Sequence, residues 1–246
     1  MTGVSAIDNP IVGFPSPDDV SRFDRAPVDL PPSPWDLGAA RSRPGDLVAE
    51  GADLAPSTLI DAYSVGLFPM PIGRRRLGWF CPEERGIVPL ESFHVSRSLR
   101  KSCRRYRVTL DSCFTRVMEA CGDPRRDHGW INREFVDAYT TLHELGWAHS
   151  VEVWRDDELV GGVYGVRIEN FFAGESMFHT ATDASKVALV GLVGLLARVG
   201  VRLFDVQWTT PHLESLGAVG IDRDRYLQLL SEAQNRQRRR QTENHG

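Results

Sequence analysis

Phe171-Phe172-Ala173-Gly174-Glu175-Ser176-Met177-Phe178 reads as a buried strand with a carboxylate at its centre. An unpaired charge in an apolar interior is costly, so such a group is partnered, neutralised or placed in a cleft. Gly174, just before it, signals close approach by another backbone or by a ligand. A second strand-like run, Val201-Arg202-Leu203-Phe204-Asp205-Val206-Gln207-Trp208, repeats the theme. Residues two apart on a strand share a face, so Asp205 and Gln207 are expected to point the same way. A lone polar residue in such a run is often a strand end facing water. Glu, Asp and Gln on two apolar strands, with helical signals between them, favour a site.

Outward from these strands the chain divides into four parts. Residues 1–34 are rich in Pro, Asp and Ser and close on Pro31-Pro32-Ser33-Pro34, which predicts an extended, flexible arm. Residues 35–92 form a small N-terminal α+β lobe. In it Pro56 suits a first helical turn, and Leu59, Ile60 and Tyr63 share a helix face. Gly66 ends that helix, Phe68-Pro69-Met70-Pro71 forces a non-helical path, and short strands follow at 77–80 and 86–90.

Residues 93–232 carry the main domain. Helices are predicted at 96–105, 113–120 and 133–145, the last capped by Asn132, with a strand at 108–110. A meander follows at 150–154, 159–168 and 171–178. The helix 185–199 is apolar nearly all round and so should be buried. Strand 201–208 and a short helix at 213–216, stopped by Gly217, complete the domain. Residues 233–246 read as a polar, Arg-rich tail. Gly161, Gly162 and Gly165 sit inside a strand-like run and mark close backbone packing. The order describes an α+β fold with a mixed sheet, compatible with the acyl-CoA N-acetyltransferase superfamily.

Composition narrows the class. The chain has 246 residues, 41% hydrophobic and 25% charged, with a net charge of -4, which argues against a wholly basic nucleic-acid coat. Cys81, Cys103, Cys113 and Cys121 show no zinc-type spacing and are expected to be reduced thiols of a cytoplasmic protein. The N-terminus lacks a secretory pattern, and no apolar stretch is long enough to span a bilayer. The histidines are scattered, so no metal is expected.

Chemistry narrows it further. Arg97, Arg100, Lys101 and Arg104 fall on one face of the helix 96–105, a stripe suited to a phosphate backbone, though cations also decorate solvated faces. The turn Thr180-Ala181-Thr182-Asp183-Ala184-Ser185-Lys186 has no glycine to grip a pyrophosphate, so an acyl donor carried by coenzyme A is disfavoured. Gly174-Glu175-Ser176-Met177-Phe178 supplies no nucleophile elbow.

A set of motifs then resembles the leucyl/phenylalanyl-tRNA protein transferase family. They are Gly51-Ala52-Asp53-Leu54, Ala62-Tyr63, Gly66-Leu67-Phe68-Pro69, His94-Val95-Ser96-Arg97-Ser98, Trp130-Ile131, and Leu142-His143-Glu144-Leu145-Gly146. Further along come Ala148 to Trp154, Leu159 to Val166, Gly174 to Phe178, Ala184-Ser185-Lys186, Asp205-Val206-Gln207 and Ser215-Leu216-Gly217-Ala218. The likeness runs in order from about residue 45 to residue 230.

The resemblance implies an acetyltransferase-like (GNAT-like) domain that moves Leu or Phe, less readily Met, from an aminoacyl-tRNA. The acceptor is the α-amine of a protein beginning with Arg or Lys, which is marked for N-end-rule degradation. Ester aminolysis runs downhill, so no ATP, metal or coenzyme is implied; the site positions two reactants and manages a proton. By the same resemblance, Asp205 and Gln207 are catalytic. Asp205 either draws a proton from the amine through Gln207 or acts electrostatically on the cationic amine. Glu175 bonds the aminoacyl-adenosine. Phe172, Met177, Leu189, Leu192 and Phe204 line the amino-acid pocket, with a plain core role as the competing reading. Trp130 stacks on the terminal adenine, and the basic stripe contacts the tRNA backbone.

Three departures stand out. Met70 replaces a Trp common in the family that completes the adenine sandwich, Phe204 replaces an Ile, and Thr180 replaces an Arg. They bear on amino-acid preference and tRNA affinity. An acyl-CoA-dependent N-acyltransferase and a noncatalytic RNA- or peptide-binding relative are the rival readings.

Overall fold

The computed structural model describes residues 10–73, 76–126 and 130–234. The chain opens on α1 (Pro17–Phe23), capped by Ser16 in a reciprocal box with Asp19. β1 (Leu47–Glu50), α2 (Pro56–Ser64), β2 (Phe68–Pro71) and β3 (Leu77–Phe80) follow. β1, β3 and β2 pair antiparallel in that order as a small sheet.

The rest builds a seven-stranded sheet. Its elements are β4 (Glu84–Ile87), α3 (Arg97–Cys103), β5 (Arg107–Leu110), α4 (Phe114–Cys121), α5 (Arg133–Glu144), β6 (Ala148–Arg155), β7 (Glu158–Ile168) and β8 (Phe171–His179). Then come α6 (Ala184–Arg198), β9 (Leu203–Gln207), α7 (Pro211–Glu214), β10 (Val219–Asp222) and α8 (Arg223–Gln234). The strand order is β10-β4-β9-β8-β7-β6-β5. Neighbours run antiparallel except β8 and β9, which pair parallel and therefore need a crossover, supplied by α6. Among the described residues no helix is long and apolar enough to cross a membrane.

Two apolar layers cover the sheet. One face carries α2, α4, α5 and α8, with Tyr63, Tyr139, Tyr164 and Tyr226 in its core. The other carries α6, α3 and α1, with Phe172, Phe204, Leu189 and Leu192 inside. Glycines let the layers close. A Cβ on Gly161 would lie 2.7 Å from the Ala184 Cβ, so α6 packs directly on β7 there.

Three expectations are corrected. The stretch expected to be a flexible arm is docked from residue 10 onward: Ile11, Phe14 and Phe23 are buried beside α6. The Arg167 guanidinium lies 4.7 Å from the Phe23 ring centroid, and its Nη2 pairs with Asp24 at 2.6 Å. Residues 1–9 and the Arg-rich end of the tail lie outside the described residues. The strand expected at 86–90 within the lobe is β4, part of the large sheet. Finally, β10 and α8 are additional. Charged residues such as Arg223, Asp224, Arg225 and Glu232 masked the helical spacing of Tyr226, Leu230 and Ala233, which α8 buries.

Phe23 tests the docked arm. Phe23→Ala should lower stability by about 3–5 kcal/mol in urea unfolding, the usual cost of emptying a fully buried aromatic site. A flexible arm would show no change.

Candidate active site

Both strands that carry the site bulge at it. Tyr164 of β7 pairs with Ser176 and Gly165 with Gly174, so Glu175 is an extra residue on β8. Gly86 of β4 pairs with Gln207 and Ile87 with Asp205, so Val206 is extra on β9. A bulge interrupts the ladder and re-aims nearby side chains. Gln207 also adopts a left-handed backbone, φ +59°, uncommon for a non-glycine residue and in need of outside support.

Asp205 gives that support. Its Oδ1 accepts the Gln207 backbone N–H at 2.9 Å and Arg85 Nε at 2.8 Å. Its Oδ2 accepts Arg85 Nη2 at 2.6 Å and the Tyr226 hydroxyl at 2.9 Å. Both Asp205 and Arg85 are 0% exposed. Arg85 Nη1 donates to the Gly66 carbonyl at 3.0 Å. The guanidinium lies 4.7 Å from the centroid of Phe68 and 4.3 Å from that of Tyr226. The charge pair is thus bidentate, fully hydrogen-bonded and enclosed by rings.

Glu175 sits differently. It is half-buried, and its Oε1 accepts the Tyr63 hydroxyl at 2.6 Å and Gln207 Nε2 at 2.8 Å. Among the described residues nothing donates to Oε2. Tyr63 and Tyr139 share a 2.5 Å hydroxyl contact, so α2 and α5 meet at this carboxylate. Burial pushes the Glu175 carboxyl up to about 8, against the pull of the Tyr63 hydrogen bond. Burial and the Glu175 charge push Tyr63 and Tyr139 well above the usual phenol range, so both remain donors. The nearby Tyr164 hydroxyl is buried with no hydrogen-bond partner among the described residues.

The other expected residues fall into three groups. Phe172, Leu189, Leu192 and Phe204 are buried together on the α6 face, with half-buried Met177 packed against them. Phe172 and Phe204 meet edge to face, centroids 5.9 Å apart. Phe204 reaches β8 where Gly174 lacks a side chain; a Cβ there would lie 2.9 Å from its ring. Met70 on β2 and Trp130 are half-buried against the opposite core, and Trp130 stands edge-on to Phe135 with centroids 5.2 Å apart. Arg97, Lys101 and Arg104 are exposed along α3, Arg100 is half-buried, and Leu99, Ser102 and Cys103 face inward.

The bonds do not trace the relay expected from Asp205 through the Gln207 side chain. Asp205 meets the Gln207 main chain, whereas the side-chain amide turns to Glu175. Sequence reasoning missed Arg85, Tyr63, Tyr139 and Tyr226 as parts of this network. For Arg85 the available signal was an arginine in the strand-like segment before the apolar run 86–90.

A family model described as "Leucyl/phenylalanyl-tRNA protein transferase" matches residues 87–231, and the model of that family's N-terminal domain matches residues 52–83. This chain belongs to that family. A leucyl/phenylalanyl-tRNA protein transferase of Idiomarina loihiensis is 41% identical over 219 residues, covering 87% of this chain and 91% of the relative. One from Novosphingobium aromaticivorans is 49% identical over 187 residues, covering 74% and 71%. Among solved structures, a tandem GNAT protein from the clavulanic acid biosynthesis pathway aligns with a TM-score of 0.37 at 13% identity, over 72% of this chain and 59% of that one. That likeness is too loose to argue from. Membership of the leucyl/phenylalanyl-tRNA protein transferase family makes the chain an aminoacyltransferase, and its network at Asp205, Gln207 and Glu175 is the candidate active site.

Removing one partner of a buried ion pair strands the other charge, so Arg85→Leu should cost about 3–5 kcal/mol in chemical denaturation. A loss under 1 kcal/mol, the scale of an exposed pair, would contradict the geometry. A second expectation concerns pH. Glu152, buried and hydrogen-bonded by Ser150, Thr109 and the Ser112 N–H, is pushed by burial to about 7. Like Glu175, it holds a proton in the native state that the unfolded chain releases above about 4.5. Their contribution to stability is therefore full below that pH and is lost as pH rises to about 7 and about 8. Melting temperatures measured from pH 5 to 8 should fall, and Glu175→Gln with Glu152→Gln should flatten the fall.

Proposed function

We propose that this aminoacyltransferase takes Leu or Phe, and less readily Met, from the 3′ end of aminoacyl-tRNA. It joins that residue to the α-amine of proteins beginning with Arg or Lys, marking them for N-end-rule degradation in the cytoplasm. The observation that carries the reading is the join of Glu175 to Gln207 at 2.8 Å on two bulged strands, with one carboxylate oxygen open. Carboxylate and amide together suit a site that must hold an amine against an ester. The parallel β8–β9 pair crossed by α6 supports an acetyltransferase-like main domain.

Roles follow from the surroundings of each residue. Asp205, closed off by Arg85, shapes the loop that presents Gln207. Gln207 orients the reactants beside Glu175. Met177, the partly exposed member of the cluster, gives the amino-acid side chain an apolar contact, with Phe172, Leu189, Leu192 and Phe204 packed behind it on the α6 face. Trp130 and Met70 serve the terminal adenosine, with a thioether packing on the base where an indole would stack more strongly. The exposed cations of α3 meet the tRNA backbone.

The deciding assay offers labelled Leu-tRNA, Phe-tRNA, Met-tRNA or acetyl-CoA to the purified protein with peptides beginning with Arg, Lys or Glu. Label should pass from Leu-tRNA and Phe-tRNA, and more slowly from Met-tRNA, to the Arg and Lys peptides alone. Transfer only from acetyl-CoA would support the acyl-CoA reading instead, and tRNA binding without any transfer a noncatalytic one. Trimming that apolar cluster should also change preference. Phe204→Ile should raise use of Phe relative to Leu by about tenfold, the scale of a small volume change in an apolar pocket. An unchanged ratio would remove Phe204 from the pocket.

A further inference from the structure

We propose that Glu175 receives the proton given up by the attacking amine, with Gln207 holding that amine beside it. The inference rests on the aminoacyl-tRNA reading above. Its basis is an inventory of lone pairs. All the capacity that Asp205 turns inward is engaged: four donors from Arg85, Tyr226 and the Gln207 main chain fill both oxygens, behind a 0% exposed surface. A carboxylate so enclosed has no oxygen to offer a substrate. Glu175 has one. Its Oε1 is anchored by Tyr63 and Gln207, while Oε2 takes no hydrogen bond from the described residues and is not among the enclosed polar atoms. The Gln207 amide has the matching asymmetry. Its Nε2 is spent on Glu175, and its Oε1 accepts from none of the described donors, leaving it for an amine N–H next to Oε2.

The step balances without a co-reactant. The acceptor's ammonium first gives one proton to solvent, and so does the Glu175 carboxyl, which burial holds at about 8. The amine nitrogen then attacks the ester carbonyl carbon, and the new C–N bond forms as the N–H proton passes to Glu175 Oε2. The bond from that carbon to the ribose oxygen breaks, the same proton moves from Glu175 to the departing oxygen, and the carboxylate is restored. Burial supports this use. With its carboxyl pushed up to about 8, Glu175 matches an α-amine, ordinarily near 8, so the transfer is nearly balanced. A carboxyl at its ordinary 4.5 would face a step roughly a thousandfold uphill.

Glu175→Gln tests the idea because the amide oxygen can still accept from Tyr63 and Gln207 while losing the basic site. Single-turnover transfer from Phe-tRNA to an Arg-initiated peptide should fall about a hundredfold or more, with Kd for Phe-tRNA unchanged within about threefold. Glu175→Ala should lose activity similarly and regain part of it in added formate, which a purely positioning role would not allow. Glu175→Gln retaining near-wild-type turnover would overturn the proposal. Loss of Phe-tRNA binding in step with turnover, with no response of Glu175→Ala to formate, would overturn it too. A wild-type protein that moves nothing from Phe-tRNA would sink the underlying reading, an outcome distinct from either.

Discussion

Arg85 and Asp205 face each other out of reach of water, joined by two hydrogen bonds and capped by Tyr226, Phe68 and the Gly66 carbonyl. Taking two ions out of water is expensive, and the expense is met only when every remaining donor and acceptor finds a partner. Here every nitrogen and oxygen of the pair has at least one, and the consequence is geometric. β4 is tied to β9, the end of α2 is tied to both, and α8 closes the cage through Tyr226. The Gln207 N–H completes the Asp205 shell, which holds a left-handed residue at the end of β9. A buried pair of this kind fixes position more than it adds stability. What it positions is the Gln207 amide.

The two acidic groups of the site then divide their tasks by environment. Asp205 is enclosed and saturated; Glu175 is anchored by one oxygen and open at the other. Tyr63, from the helix of the small lobe, and Tyr139, from the main domain, converge on Glu175. The lobe is therefore part of the candidate site. Its helix supplies the donor that holds the carboxylate, and its strand β2 brings Met70 toward the same core. The family models match the lobe and the main domain as separate units, but the hydrogen-bond network at Glu175 spans them.

Much of this was legible in residue patterns because period and punctuation decide it locally. Pro56 and Gly66 bracket α2, Asn132 caps α5, and the uniform greasiness of 184–198 announces a buried crossover helix. Glu175, Asp205 and Gln207 stood out because polar residues interrupt apolar strands. What remained hidden was set by contacts distant in sequence. Arg85 looks like an ordinary charged residue until Asp205, 120 positions later, closes on it. Bulges at Glu175 and Val206 leave no mark in alternation, since each adds a residue whose meaning appears only against its partner strand. The Pro-rich beginning misled for a related reason. Phe14 and Phe23 are few and widely spaced, yet each fills a site beside α6.

The central claim is that Glu175, with one oxygen free of the network, is the carboxyl that takes the amine's proton. Its most direct test is a carbon-13 NMR titration of protein labelled at the glutamate side-chain carboxyls, assigned by comparison with Glu175→Gln. The account predicts a Glu175 resonance with its midpoint at about 8. A Glu175 carboxyl that titrates near the ordinary 4.5 would contradict it.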